Sequence, residues 1–127
     1  MGKNKYNFGA IWVIPDKKIK FPKNLFRTEH KNRTVVIVEN SKYNNNKNET
    51  DILVIPLSSQ LSIYHPDDIL IKKDDSNKLD KDCYARMRAI QFINKSSCIK
   101  YIGKVSDEIK CDILYTIQSY INNGQVN

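Results

Sequence analysis

Three short stretches of this chain are almost uninterruptedly apolar and rich in Val and Ile: Ile11 to Ile14, Thr34 to Val38 and Ile52 to Leu57. Runs of this length bounded by turn formers suit strands, and their lack of polar alternation predicts strands covered on both faces or nearly so. Ile69 to Ile71, Cys83 to Ile90 and Ile99 to Val105 are further strand candidates. Short strands at this spacing predict a small antiparallel barrel or sandwich. From Ser106 the period changes to that of a helix, with Ile109, Ile113, Ile117, Tyr120 and Ile121 on one face. Ser106 stands as N-cap, and Asp107 and Glu108 fill the first turn, where the helix dipole favours negative charge. Asn122, Asn123 and Gly124 end the run, so the pattern predicts one helix closing over the sheet.

The connections differ in character. Pro15 to Asn32 is a loop of eighteen residues, long for a compact domain and therefore functional or mobile. Ser41 to Thr50 is a polar, asparagine-rich hairpin connection, expected to be disordered at its tip. Lys72 to Asp82 reads as a charged turn region. No repeat or domain-separating linker interrupts the pattern, and 127 residues give one domain over 1–127 with one core.

Charge adds a direction to this outline. The net +7 lies in the first 33 residues, which hold nine Lys or Arg against Asp16 and Glu29, while the rest of the chain is balanced. Lys17, Lys18, Lys20, Lys23, Arg27, Lys31 and Arg33 crowd the long loop and its exit. Such a patch attracts polyanions through Coulomb steering and counterion release, although a solvated lysine-rich loop would read the same way.

Several classes drop out. Cys83, Cys98 and Cys111 are odd in number and form no CxxC pair, so neither a disulfide framework nor a zinc site is indicated, and they read as reduced, buried thiols of a cytoplasmic protein. The apolar run at Ala10 to Ile14 is too short for a membrane span. There is no GxGxxG, P-loop, HExxH, GxSxG or EF-hand pattern. Asp67/Asp68 and Asp74/Asp75 read as solvated loop charge, and no metal or other cofactor is expected.

What remains is a set of polar residues at the mouths of apolar strands. Arg33 precedes the Thr34 to Val38 run, and Ser58 and Ser59 follow Ile52 to Leu57. Period-two alternation along Cys83 to Ile90 would place Tyr84, Arg86 and Arg88 on one face, suited to phosphate contact and base stacking. The plainer alternatives are an exposed arginine, a serine turn and the wet side of a half-buried strand.

Together, the order and contexts of these residues resemble the MazF/PemK toxin family of endoribonucleases. "FGAIWVI" looks like that family's opening strand and "NRTVVIVEN" like its Arg-Pro-apolar strand. "LVIPLSS" resembles the strand ending in Leu-Thr-Ser, and "KLDKDCYARMRAI" the strand ending in Gln-Ile-Arg-Thr. "IKYIGKVSDEIKCDILYTI" looks like the last strand, glycine and helix. The likeness runs from about Gly9 to Ile121. Thr34 departs from the usual proline, Ser58 from threonine, and Arg86 and Ala89 from the glutamine and threonine around Arg88.

The resemblance implies an α+β fold, a small SH3-like antiparallel β-barrel with a C-terminal α-helix, and a homodimer. It implies metal-independent cleavage of single-stranded RNA to a 2′,3′-cyclic phosphate and a 5′-hydroxyl, and silencing by a cognate antitoxin. Arg33 and Ser58 take the places of the catalytic arginine and threonine, and Ser59 and Arg88 those of two neighbouring site residues. Arg33 would stabilise charge on the phosphoryl oxygens, Ser58 would donate a hydrogen bond, and His30 could carry a proton. Ser59, Arg86, Arg88, His30, Lys31 and Tyr84 make up the expected RNA-binding set. Two rivals stay open: a non-catalytic nucleic-acid-binding module on the same barrel, and a toxin of the related CcdB type that poisons a topoisomerase.

Overall fold

The computed structural model describes residues 6–22, 30–39 and 46–121. Within them the chain forms seven strands and one α-helix: β1 (Ala10–Pro15), β2 (Asn32–Ile37), β3 (Asp51–Ser58), β4 (Ile69–Ile71), β5 (Cys83–Ala85), β6 (Gln91–Asn94), β7 (Lys100–Lys104) and α1 (Asp107–Ile121). All pairings are antiparallel, in the order β4-β5-β3-β2-β1-β7. β3 is the hinge of the architecture: Asp51 to Val54 pair with β6, Leu57 and Ser58 pair with β5, and Val54 to Pro56 face β2. A strand that serves different neighbours along its length must bend, and the sheet curls into a half-barrel with a single C-terminal helix, in line with the small antiparallel barrel and helix expected. No helix among the described residues is long and apolar enough to cross a membrane.

The apolar runs are explained by two cores, one on each side of the sheet. Ile11, Val36, Ile55, Leu57 and Ile71 face inward with Met87, Val105 and Ile113. Trp12, Ile14, Val35, Ile37, Ile52 and Val54 bury the opposite face with Ile93, Tyr6, Phe21 and Tyr101. Adjacent residues of β1, β2 and β3 thus point to opposite cores, which removes the polar alternation of a half-wet strand. Tyr6 stacks on Trp12 with ring centroids 4.8 Å apart, and Tyr101 meets Trp12 edge-on.

The helix begins where its cap predicts, since Ser106 Oγ accepts the backbone N–H of Ile109 at 3.2 Å. Ile113 is fully buried, and Ile109, Ile117 and Tyr120 pack on the inner core. Ile121 departs from the expected face and is exposed. The predicted stop at Asn122 to Gly124 lies outside the described residues, as does the first half of the Ser41 to Thr50 connection.

Other expectations are corrected. The run Cys83 to Ile90 is not one strand: β5 ends at Ala85, Arg86 leaves the extended region at φ −80°, ψ 85°, and Met87–Ala89 form a 3-10 turn. Met87 and Ala89 are both buried by this turn, and Tyr84, Arg86 and Arg88 share no face. Asp68 is not solvated charge, because its carboxylate is fully buried against Arg86, with Oδ2 2.6 Å from Nη1. Lys72 to Asp82 forms the charged turn region expected of it. Asn77 sits buried at its centre, donating to the Lys72 carbonyl and accepting from the Asp74 and Leu79 N–H groups. Of the three free cysteines, Cys83 is buried, Cys98 half-buried and Cys111 exposed.

Candidate active site

Arg33 sits at the start of β2, directly across from Ile14 of β1. Its neighbours on that face are apolar, so its charge needs a partner, and the partner is Asp16, the second residue after Ile14. Nε donates to Oδ1 at 2.7 Å and Nη2 to Oδ2 at 3.4 Å, a two-pronged contact that fixes the guanidinium plane. Nη1 donates to the Leu57 carbonyl at 2.9 Å, and the Phe21 ring lies 5.0 Å from Cζ. Asp16 is wholly buried and Arg33 nearly so. Removing either partner of such a pair leaves a lone buried charge, a loss of about 3 to 5 kcal/mol.

Asp16 also joins the two ends of the basic loop. Its Oδ2 accepts the His30 backbone N–H at 2.7 Å, and its own N–H donates to the Lys31 carbonyl at 3.1 Å. The segment entering the loop is tied down as well: Lys20 N–H donates to Gln91 Oε1, and Gln91 Nε2 donates to the Lys20 carbonyl.

Beside Arg33 opens a cavity of about 300 Å³, lined by His30, Asn32, Thr34, Leu57, Ser59, Leu79, Asp80, Lys81 and Cys83 as well as Arg33 itself. Arg33, Ser59 and His30 therefore border the same cavity. Burial and the neighbouring Asp82 carboxylate push the Cys83 thiol up to about 11, so it stays protonated near neutral pH. His30 and Asn32 also border an adjoining groove with Pro15, Lys17, Lys31 and Ile99, which places Lys31 just outside the cavity.

Ser58 lies one layer back. Its hydroxyl accepts the Gln60 N–H at 3.2 Å and an Arg86 N–H at 3.2 Å. With both lone pairs engaged, the hydroxyl has its own proton left to give, which makes Ser58 a donor. The Leu57 carbonyl that Arg33 holds is the peptide immediately before it.

The expected RNA-binding set divides. Ser59 and His30 line the cavity with Arg33, and Lys31 borders it. Arg86 is corrected: it is buried, and its guanidinium is taken by Asp68, the Ile63 and Gln60 carbonyls and Ser58 Oγ. These bonds tie the guanidinium to Ser58 and to the chain that follows it. Tyr84 is half-buried beneath Arg86, 5.7 Å from the Tyr64 ring. Arg88 is exposed on the 3-10 turn, over Tyr120, and lines a groove with Lys18, Lys20, Phe21 and Phe92. Lys23 and Arg27 lie outside the described residues. Asp16 was missed as a site residue; the signal was one acid directly after an apolar strand at the head of a basic stretch. Among the described residues, no group of three or more His, Cys, Asp or Glu is placed to hold a metal ion.

The family described as PemK-like, MazF-like toxin of type II toxin-antitoxin system matches residues 9–121. The chain belongs to that family. No curated protein matches it by sequence. Solved structures of similar fold include a mycobacterial endoribonuclease in complex with its cognate antitoxin, with a TM-score of 0.63 and 14% identity over 93% of this chain and 94% of that one. MazF of Deinococcus radiodurans in complex with MazE gives 0.63 and 8% identity over 91% and 93%, and MazF alone from that organism 0.63 and 9% over 91% and 94%. At these identities the likeness is one of fold. In this PemK-like chain Arg33 stands at the mouth of β2, and Ser58 and Ser59 at the end of β3.

Proposed function

We propose that this PemK-like toxin is an endoribonuclease that cleaves single-stranded RNA without a metal ion, is silenced by a cognate antitoxin and acts as a homodimer. The observation that carries the reading is Arg33: a guanidinium held by Asp16 and the Leu57 carbonyl at the edge of an open cavity that Ser59 and His30 also line, in a chain of this family. In the reaction the substrate's 2′-oxygen attacks the adjacent phosphorus and loses its proton, the bond to the 5′-oxygen breaks, and that oxygen takes up a proton. The products are a 2′,3′-cyclic phosphate and a 5′-hydroxyl. Charge builds on the non-bridging oxygens, and a preorganised guanidinium is the group that stabilises it. Its high intrinsic pKa makes Arg33 a stabiliser before it is an acid or base. The Ser58 hydroxyl, set as a donor, supplies a further hydrogen bond to the phosphate, Ser59 contacts the substrate on the wall, and the His30 imidazole is the proton carrier.

The test is to incubate the protein with a long unstructured RNA in excess chelator beside Arg33→Ala. Cuts with cyclic-phosphate ends, reduced about 10² to 10³ fold in the mutant, are expected. RNA binding without cleavage by the folded wild type would replace this reading with a binding module, and the absence of both would leave the protein-poison reading.

A further inference from the structure

Arg33 is an arginine whose position is decided by another residue. Asp16 is fully buried and grips both Nε and Nη2, while its second oxygen and its backbone N–H also hold His30 and Lys31. Arginine has four rotatable side-chain bonds, and an unrestrained guanidinium beside an open cavity would sample many poses. Each misplaced pose weakens charge stabilisation, which depends on donors already aimed at the reacting oxygens. A carboxylate matches the fork of a guanidinium in one plane, so Asp16 selects one pose. The carboxylate stands on the 3-10 turn directly after β1 and the arginine at the start of β2, beside an antiparallel ladder that pairs Ile14 with Arg33. The start of β2 and the 3-10 turn directly after β1 therefore fix the geometry between them.

We infer that Asp16 is the positioning residue of this site: it sets the pose of Arg33 and, through His30 and Lys31, closes the base of the basic loop against the cavity. The inference rests on the ribonuclease reading for its catalytic consequence and on the ion pair alone for its structural one. Asp16 touches no substrate in this scheme. Asp16→Asn keeps the backbone bond to Lys31 and an amide oxygen to accept the His30 N–H but loses the charge that pairs Arg33, so it lowers kcat and leaves KM nearly unchanged.

The experiment compares wild type, Asp16→Asn, Asp16→Glu, Arg33→Ala and the double variant D16N/R33A by cleavage kinetics, and follows the Arg33 side-chain Nε–H resonance by ¹H–¹⁵N NMR. That resonance is assigned as the one lost in Arg33→Ala. A hydrogen-bonded Nε–H at 2.7 Å gives a slowly exchanging cross-peak, which Asp16→Asn is expected to shift or broaden away. Asp16→Asn is expected to lower kcat by about 10 to 10² fold with KM within about twofold. Asp16→Glu keeps the charge but displaces it by one methylene, and is expected to retain the fold with an intermediate kcat. In the Arg33→Ala background, Asp16→Asn should remove no further activity, because residues acting as one unit are not additive. A folded D16N or D16E with wild-type kcat and an unmoved Arg33 resonance overturns the inference. So does a kcat loss that is equally large with and without Arg33. If Asp16→Asn fails to fold, Asp16→Glu and its resonance carry the same two outcomes. Should wild type cleave no RNA, the ribonuclease reading falls, while the resonance still reports whether Asp16 holds Arg33.

Discussion

At the scale of single residues, the two serines after β3 have different jobs in this structure. Ser59 is exposed on the cavity wall with Arg33, and Ser58 is tucked behind it with its oxygen already accepting from Gln60 and Arg86. If Ser58 donates to the phosphate, Ser58→Ala should lower kcat about 10-fold or more, and Ser59→Ala should act mainly on KM. A reversed split, read from cleavage kinetics of the two variants, would move the catalytic hydroxyl to Ser59. The thiols make a separate case. Burial raises Cys83 and Cys98 from 9.0 to about 11 each. A folded value above the unfolded one means the folded state holds its proton between those two values while the unfolded state loses it. The stabilising contribution is therefore complete below pH 9 and disappears as pH rises through about 11. Thermal unfolding of wild type should fall over that window, and a Cys83→Ala/Cys98→Ala variant should show a shallower slope.

At the scale of elements, β7 lies against the turn between β4 and β5. A Cβ built on Gly103 would stand 2.5 Å from the Ser76 carbonyl oxygen and 2.7 Å from that of Asn77. These are backbone atoms that cannot swing aside, and the Lys104 N–H donates to that same Ser76 oxygen at 3.1 Å. Gly103→Ala should thus cost about 1 to 3 kcal/mol, seen as a lower midpoint in urea with an unchanged slope. The same elements show what a sequence can and cannot disclose. β1, β2, β3 and α1 were legible because continuous Val/Ile runs and a capped 3.6-residue period are local signals. β6 was not: Gln-Phe-Ile-Asn has two apolar residues, one of them exposed, and its order comes from pairing with β3. The break at Arg86 was hidden for a related reason. Arg86 there is paired with Asp68, eighteen residues upstream, and no local window contains both partners of that buried pair. Arg33 and the serine pair were legible as strand-mouth residues, but Asp16 took its meaning only when β1 and β2 were laid side by side.

At the scale of the whole molecule, the question is how the N-terminal charge of the sequence is displayed. The 3-10 turn after β1 exposes Lys17 and Lys18, and the loop's exit exposes Lys31. Lys17 and Lys31 border the groove that adjoins the cavity, while Lys18, Lys20 and Arg88 border a second groove beyond Phe21. Phe21 of the second groove is in contact with Arg33 of the cavity. A single strand threaded past Arg33 would meet cations on both sides. If about five phosphates are neutralised, the logarithm of the binding constant should fall with the logarithm of salt concentration at a slope of roughly −3.5. Lys17→Ala/Lys31→Ala should bring the slope toward zero by roughly 1.4, and Lys18→Ala/Lys20→Ala by a similar amount, with single-turnover cleavage at saturating RNA largely kept. The comparison is informative because it locates the strand. A slope lowered by only one of the two pairs would confine the RNA to one side of Arg33, and an unchanged slope in both would mean that the basic loop is surface charge with no part in holding substrate.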